Sequence, residues 1–142
     1  MHKTIRYVAD SNVIVSAFNF GGLPARVVSA SLDQGNTLYL SQFILDEVGT
    51  TLERKFKWPP ERLRRLERSL RQQSTIVMPT DRVTIVRDEK DNRILECALA
   101  AQAHYLVSGD DDLLSLKKYG KVKIVTPARF LQVMATTAKI SK

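Results

Sequence analysis

Short, nearly continuous apolar runs alternate along this chain with longer stretches in which apolar residues recur every three or four positions. The runs Thr4–Ala9, Thr37–Leu40, Thr75–Met78, His104–Ser108 and Val122–Val125 predict strands, and Val83–Val86 a further short extended piece. Pro24, after the turn-forming Phe20-Gly21-Gly22-Leu23, opens a helix that runs to about Gln34 and ends at Gly35-Asn36. Ser41 is placed to cap a helix beginning near Phe43. In it Ile44, Leu45, Val48 and Leu52 keep the helical period until Trp58-Pro59-Pro60 breaks it. Glu61–Gln73 predicts a basic helix with Leu63, Leu66 and Leu70 as its inward stripe. Asp88 or Lys90 precedes a helix over about Asp91–Ala103, with Ile94, Leu95, Ala98 and Leu99 on the core side. A short helix passes through Leu113, Leu114 and Leu116, and Thr126-Pro127 caps a final one from Ala128. No element is assigned between Asp10 and Phe20.

Strands alternating with helices predict an α/β fold, a parallel sheet with helices on both faces. Without repeats or linkers the chain reads as one domain over residues 1–136, with 137–142 as a frayed tail. Right-handed crossovers then put every strand's C-terminal end on one edge, where open α/β sheets bind ligands.

That edge gathers acids. Asp10 closes the first strand, and Asp110 follows His104–Ser108 after one glycine. Asp91 opens a helix that starts at the same edge and shares a stripe with Ile94, Leu95 and Ala98, so its side chain faces the sheet. Glu47 lies beside Ile44, Val48 and Thr51 in the first turns of its own helix, and Asp112 stands two residues beyond Asp110. Each acid has a plainer reading alone: Asp10 as a helix cap, Asp91 as a first-turn acid, Glu47 as a lysine partner, Asp111 as the cap of its cluster. Those readings leave the convergence unexplained. Carboxylates crowded into one pocket repel unless a cation sits between them, and oxygen ligands favour Mg²⁺ or Mn²⁺.

Charge and composition narrow the chemistry. The net charge is +7, from 22 basic and 15 acidic residues, and favours a polyanionic partner. Arg54, Lys55, Lys57, Arg62, Arg64, Arg65, Arg68 and Arg71 stand against Glu61 and Glu67 alone, either as a solvated face or as a phosphate grip. With two histidines and one cysteine, a structural zinc site lacks ligands; His104 reads as a strand-edge residue and Cys97 as a small buried hydrophobe. Gly21-Gly22 fits neither a P-loop nor a dinucleotide fingerprint. A polar start, no apolar run of membrane length and a single cysteine predict a cytoplasmic protein without a signal peptide.

Asp10-Ser11-Asn12 resembles the opening motif of PIN-domain nucleases. So do Asp91-Asn92-Arg93-Ile94-Leu95-Glu96-Cys97-Ala98 and Tyr105-Leu106-Val107-Ser108-Gly109-Asp110-Asp111-Asp112. Order and spacing match over nearly the whole chain, most closely in the PIN toxins of toxin–antitoxin operons, the VapC-like group in the broad sense. The resemblance implies a three-layer α/β/α sandwich with a central, mainly parallel sheet, and a Mg²⁺- or Mn²⁺-dependent endoribonuclease. It implies Asp10, Glu47, Asp91 and Asp110 as the acidic site, with Asp112 as an auxiliary acid. Asn12 would support Asp10, and Ser108 would be the small hydroxyl before the Gly-Asp turn. Arg54, Lys55, Lys57, Arg62 and Arg65 are the candidates to grip RNA. It also implies an antitoxin partner and a homodimer. The rival readings are an inactive nucleic-acid or partner-binding module, a small-molecule phosphohydrolase and a structure-selective DNA nuclease.

Overall fold

The structure is a computed structural model that describes residues 4–33 and 35–140, with side chains as far as Thr136. His2, Gln34 (the expected end of the helix opened by Pro24) and the last two residues of the expected tail, Ser141 and Lys142, lie outside the described residues. The elements run β1 (Ile5–Ala9), α1 (Ser11–Phe20), α2 (Gly22–Ser29) with a 3₁₀ turn at Ala30–Leu32, β2 (Asn36–Leu40), α3 (Gln42–Phe56) and α4 (Pro60–Gln73). They continue with β3 (Ser74–Ile76), α5 (Glu89–Ala100), β4 (Tyr105–Val107), α6 (Asp111–Leu116), β5 (Lys118–Tyr119), β6 (Val122–Val125) and α7 (Pro127–Ile140). The sheet order is β3-β2-β1-β4-β6-β5. Every pairing is parallel except β5 with β6.

This order positions the site. From β1 the chain winds outward through β2 and β3, then returns past β1 to build β4 and β6 on the other side. The reversal falls between β1 and β4, and such a switch point opens a crevice at the strands' C-terminal ends. The backbone joins there directly: Asp10 N–H donates to the Val107 carbonyl at 2.9 Å. Right-handed crossovers of opposite sense place helices on both faces. On one face Tyr7 is fully buried, donates its hydroxyl to the Val27 carbonyl at 2.7 Å and stacks on Phe130 of α7. On the other, α5 packs against β1, β2 and β4.

Four elements differ from the pattern's prediction, each for a physical reason. Ser11–Phe20 is a helix, although Val13-Ile14-Val15 is β-branched and all three are buried, so no apolar stripe marks it. Gly21 and Gly22, at φ 75° and 65°, turn the chain into α2, which begins before Pro24. Val83–Val86 is not a strand. Side chains of α5 take its backbone groups instead: Glu96 Oε2 accepts from Val83 N–H at 2.9 Å, and Asn92 Oδ1 accepts from Ile85 and Val86 N–H at 3.1 and 2.8 Å. Lys118-Tyr119 adds an antiparallel edge strand too short to read as a pattern. Ser41 caps α3 as expected, accepting from Ile44 N–H.

Candidate functional site: an acidic cleft at the sheet edge

The end of β1 and the start of α1 place Asp10, whose two carboxylate oxygens are both engaged. Oδ1 accepts from Asn12 N–H at 3.0 Å, and Oδ2 accepts from the Ser108 hydroxyl at 2.7 Å. Asn12 thus holds Asp10 through its backbone, while its side chain lines the cleft. Ser108, fully buried, also accepts from Asp110 N–H at 2.9 Å, so one hydroxyl ties β1's acid to β4's across 98 residues of chain. Asp110 caps α6: its Oδ1 accepts from Asp112 and Leu113 N–H. The capping role expected of Asp111 therefore belongs to Asp110, and only one of its oxygens is spent on it.

Asp91 sits in the first turn of α5 and is almost wholly buried. Its Oδ2 is buried with no hydrogen-bond partner. One carboxylate oxygen each from Asp91, Asp110 and Asp112 lies within 4.8 Å of the others. Of the five acids the sequence gathers (Asp10, Glu47, Asp91, Asp110 and Asp112), the tightest grouping among the described residues is Asp91, Asp110 and Asp112, while the oxygens of Asp10 are tied by Asn12 and Ser108. Glu47 lines a cleft of about 280 Å³ with Asp10, Asn12, Thr50, Thr51, Arg54, Lys55, Asp88, Lys90 and Asp91.

The electrostatics follow from burial and crowding. Burial pushes the Asp91 carboxyl up to about 7, helped by the charges of Asp110, Asp10 and Asp88 and by a hydrogen bond shared with Asp110. Asp10 is raised too, first by burial; Asn12 and Ser108 oppose the shift, and the charges of Asp110 and Glu47 add to it. Glu47 Oε2 lies 3.7 Å from the exposed Lys90 ammonium. The donors are all oxygen, acidic and under-satisfied at Asp91, which fits a hard divalent cation.

Of the basic candidates, Arg54 and Lys55 reach this cleft. Arg62 instead covers the Trp58 ring at 3.6 Å, Lys57 ends α3 in the left-handed region, and Arg65 is exposed on α4. Sequence reasoning did not count Lys90 or Thr50 toward the site, and placed Thr51 beside Glu47 without giving it a role. The threonines follow Glu47 at i+3 and i+4, a spacing that could have found them. His104 behaves as expected at a strand edge, its Nδ1 accepting from Arg6 N–H at 3.0 Å. Cys97 is buried, which pushes its thiol up to about 12.

An α/β crevice lined by converging carboxylates is the architecture of a hydrolase site, and the family assignment agrees. The PIN domain model matches residues 6–112, and the chain belongs to the PIN domain family, a family of nucleases. It is 30% identical over 141 residues to Uncharacterized protein MJ1680 of Methanocaldococcus jannaschii, covering 90% of each chain. Two solved structures share the fold. VapBC-1 from nontypeable Haemophilus influenzae has a TM-score of 0.62 at 14% identity, covering 87% of this chain and 99% of that one. VapBC2 from Rickettsia felis, bound to a DNA fragment from their promoter, has a TM-score of 0.58 at 15% identity, covering 84% and 97%.

Proposed function

We propose that this chain is a metal-dependent endoribonuclease and the toxin of a toxin–antitoxin pair. The observation that carries the reading is Asp91: buried, with an unpartnered oxygen, against Asp110 and Asp112. A fold keeps acids this close at a cost that a bound cation offsets. Asp91, Asp110 and Asp112 would hold Mg²⁺ or Mn²⁺, with Asp10 and Glu47 completing the acidic wall. When bound, such an ion lowers the pKa of its water and offsets charge on a phosphate.

The chain's own residues prepare the rest. Ser108 and Asn12 fix the direction of Asp10, and the α6 cap fixes Asp110. Arg54, Lys55 and Lys90 supply positive charge on the cleft wall, where a phosphodiester backbone would lie beside the acids. Likeness to two VapBC structures supports an antitoxin partner.

Replacing Arg54 and Lys55 together by alanine should weaken RNA binding across sequences and reduce the slope of log affinity against log salt by roughly 1 to 2. Titrating binding against salt checks this; an unchanged slope removes both residues from the interface. The proposal itself is tested with matched single-stranded RNA and DNA oligonucleotides in Mg²⁺, Mn²⁺ or EDTA. Metal-dependent cutting of RNA is expected. Cutting of DNA alone would make the protein a DNA nuclease, and tight binding without cutting would make it a binding module.

A further inference from the structure

The C-terminal ends of α1 and α3 carry an exposed aromatic pair that the acidic cleft does not use. Phe20 is 74% exposed and Phe56 37%, with ring centroids 5.9 Å apart and planes at 78°. The Phe20 ring stands mostly in solvent and the Phe56 ring is partly covered. Next to the pair in sequence, α1 and the end of α3 are joined: buried Trp58, two residues after Phe56, donates its indole N–H to Oδ1 of Asn19, the neighbour of Phe20, at 3.1 Å. Arg62 covers the Trp58 ring. Exposed aromatic side chains side by side mark a surface for a ligand.

The surroundings identify the ligand's chemistry. Exposed Arg54, Lys55, Lys57 and Arg62 flank the pair, against Glu53 and Glu61. Two of these cations, Arg54 and Lys55, also line the acidic cleft and stand two residues and one residue before Phe56 in α3. From Glu47 to Phe56 the path along α3 is about 14 Å at 1.5 Å per residue. Flat apolar faces beside a basic track are what a single strand needs, its bases stacking on the rings and its phosphates on the cations. We infer that Phe20 and Phe56 form a stacking platform for the bases of single-stranded nucleic acid flanking the phosphate in the acidic cleft. This rests on the nuclease reading and extends it to substrate length: a strand long enough to reach the platform binds better than a dinucleotide.

The test uses Phe20→Leu and Phe56→Leu, singly and together, which keep the surface apolar and remove the rings, and Phe20→Trp, which keeps a ring. Fluorescence anisotropy with a labelled single-stranded RNA oligonucleotide reads affinity, and cleavage of that oligonucleotide and of a dinucleotide reads KM and kcat. The double leucine variant should lose about tenfold or more in affinity and raise KM for the longer strand only, while Phe20→Trp holds wild-type affinity. Affinity within about twofold of wild type in the double variant overturns the inference. So does a change of oligomeric mass with RNA binding intact, which would assign the patch to a second copy. A wild type that neither binds nor cuts defeats the nuclease reading itself, whereas binding and cutting that survive the leucines overturn the platform alone.

Discussion

Asp91→Asn is expected to raise the thermal stability of the metal-free protein at pH 8 while removing both cleavage and the stabilisation that Mn²⁺ gives. The Asp91 carboxyl is lifted from its ordinary 3.8 to about 7 by burial and by the acids around it. Between those values the folded protein holds a proton that the unfolded chain has released. Its contribution to stability is therefore full below about pH 4 and is lost as pH rises through 7. Above that, folding keeps a charge on Asp91 beside Asp110, which lowers stability. An amide has no such charge, so Asp91→Asn should melt several degrees higher in EDTA and show a flatter pH profile from 4 to 8. Wild type should gain stability on adding Mn²⁺ and the variant should not. Calorimetry across that range decides: equal metal-free melting points at pH 8 would mean that the acids are not in conflict.

Asn92→Ala is expected to cost the fold a large share of its stability. Its side chain is fully buried and satisfies the segment between β3 and α5, accepting from Ile85 and Val86 N–H and donating to the Val86 carbonyl at 2.8 Å. It also reaches Glu89 Oε1 at 3.2 Å. Alanine leaves these backbone groups without a partner where α5 excludes water on one side, at a cost of about 2–4 kcal/mol. That corresponds to a fall of roughly 5–15 °C in melting temperature. Hydrogen exchange at Ile85 and Val86 should quicken first, and cleavage should drop because Asp91 is the next residue on the loosened turn. Asn92→Asp, which keeps the acceptor and loses the donor, should fall between. A melting point for Asn92→Ala within about 2 °C of wild type would show that water replaces the side chain without loss.

What the sequence made legible was whatever has a local cause. Ile44, Leu45, Val48 and Leu52 keep a helical period because one face of α3 is buried, and Ser41 caps it through a bond three residues long. The convergence of Asp10, Glu47, Asp91 and Asp110 was legible for the same reason, since strand ends and helix starts lie on one sheet edge. Illegible features had distant or isotropic causes. α1 is apolar on most sides, wedged against α2 and α3, so no stripe announces it. The Ser108 hydroxyl between Asp10 and Asp110, and the Glu96 and Asn92 bonds that stand in for a strand ladder, depend on partners that only the fold brings near. Glu96 is buried against Arg93 at 3.0 Å and anchors Val83, a role that its place in the α5 motif does not announce. Arg62 also lies over the Trp58 ring, a contact that its charge alone does not announce.

The central claim, that these acids make a metal-dependent ribonuclease, is tested most directly with purified wild type and Asp10→Asn on total RNA in Mn²⁺, Mg²⁺ or EDTA. Asp10→Asn keeps the acceptor for Asn12 N–H and so the α1 cap, while removing the charge. Wild type should cut with metal and not in EDTA, and a folded Asp10→Asn should not cut at all. Equal cutting by both proteins would contradict the claim.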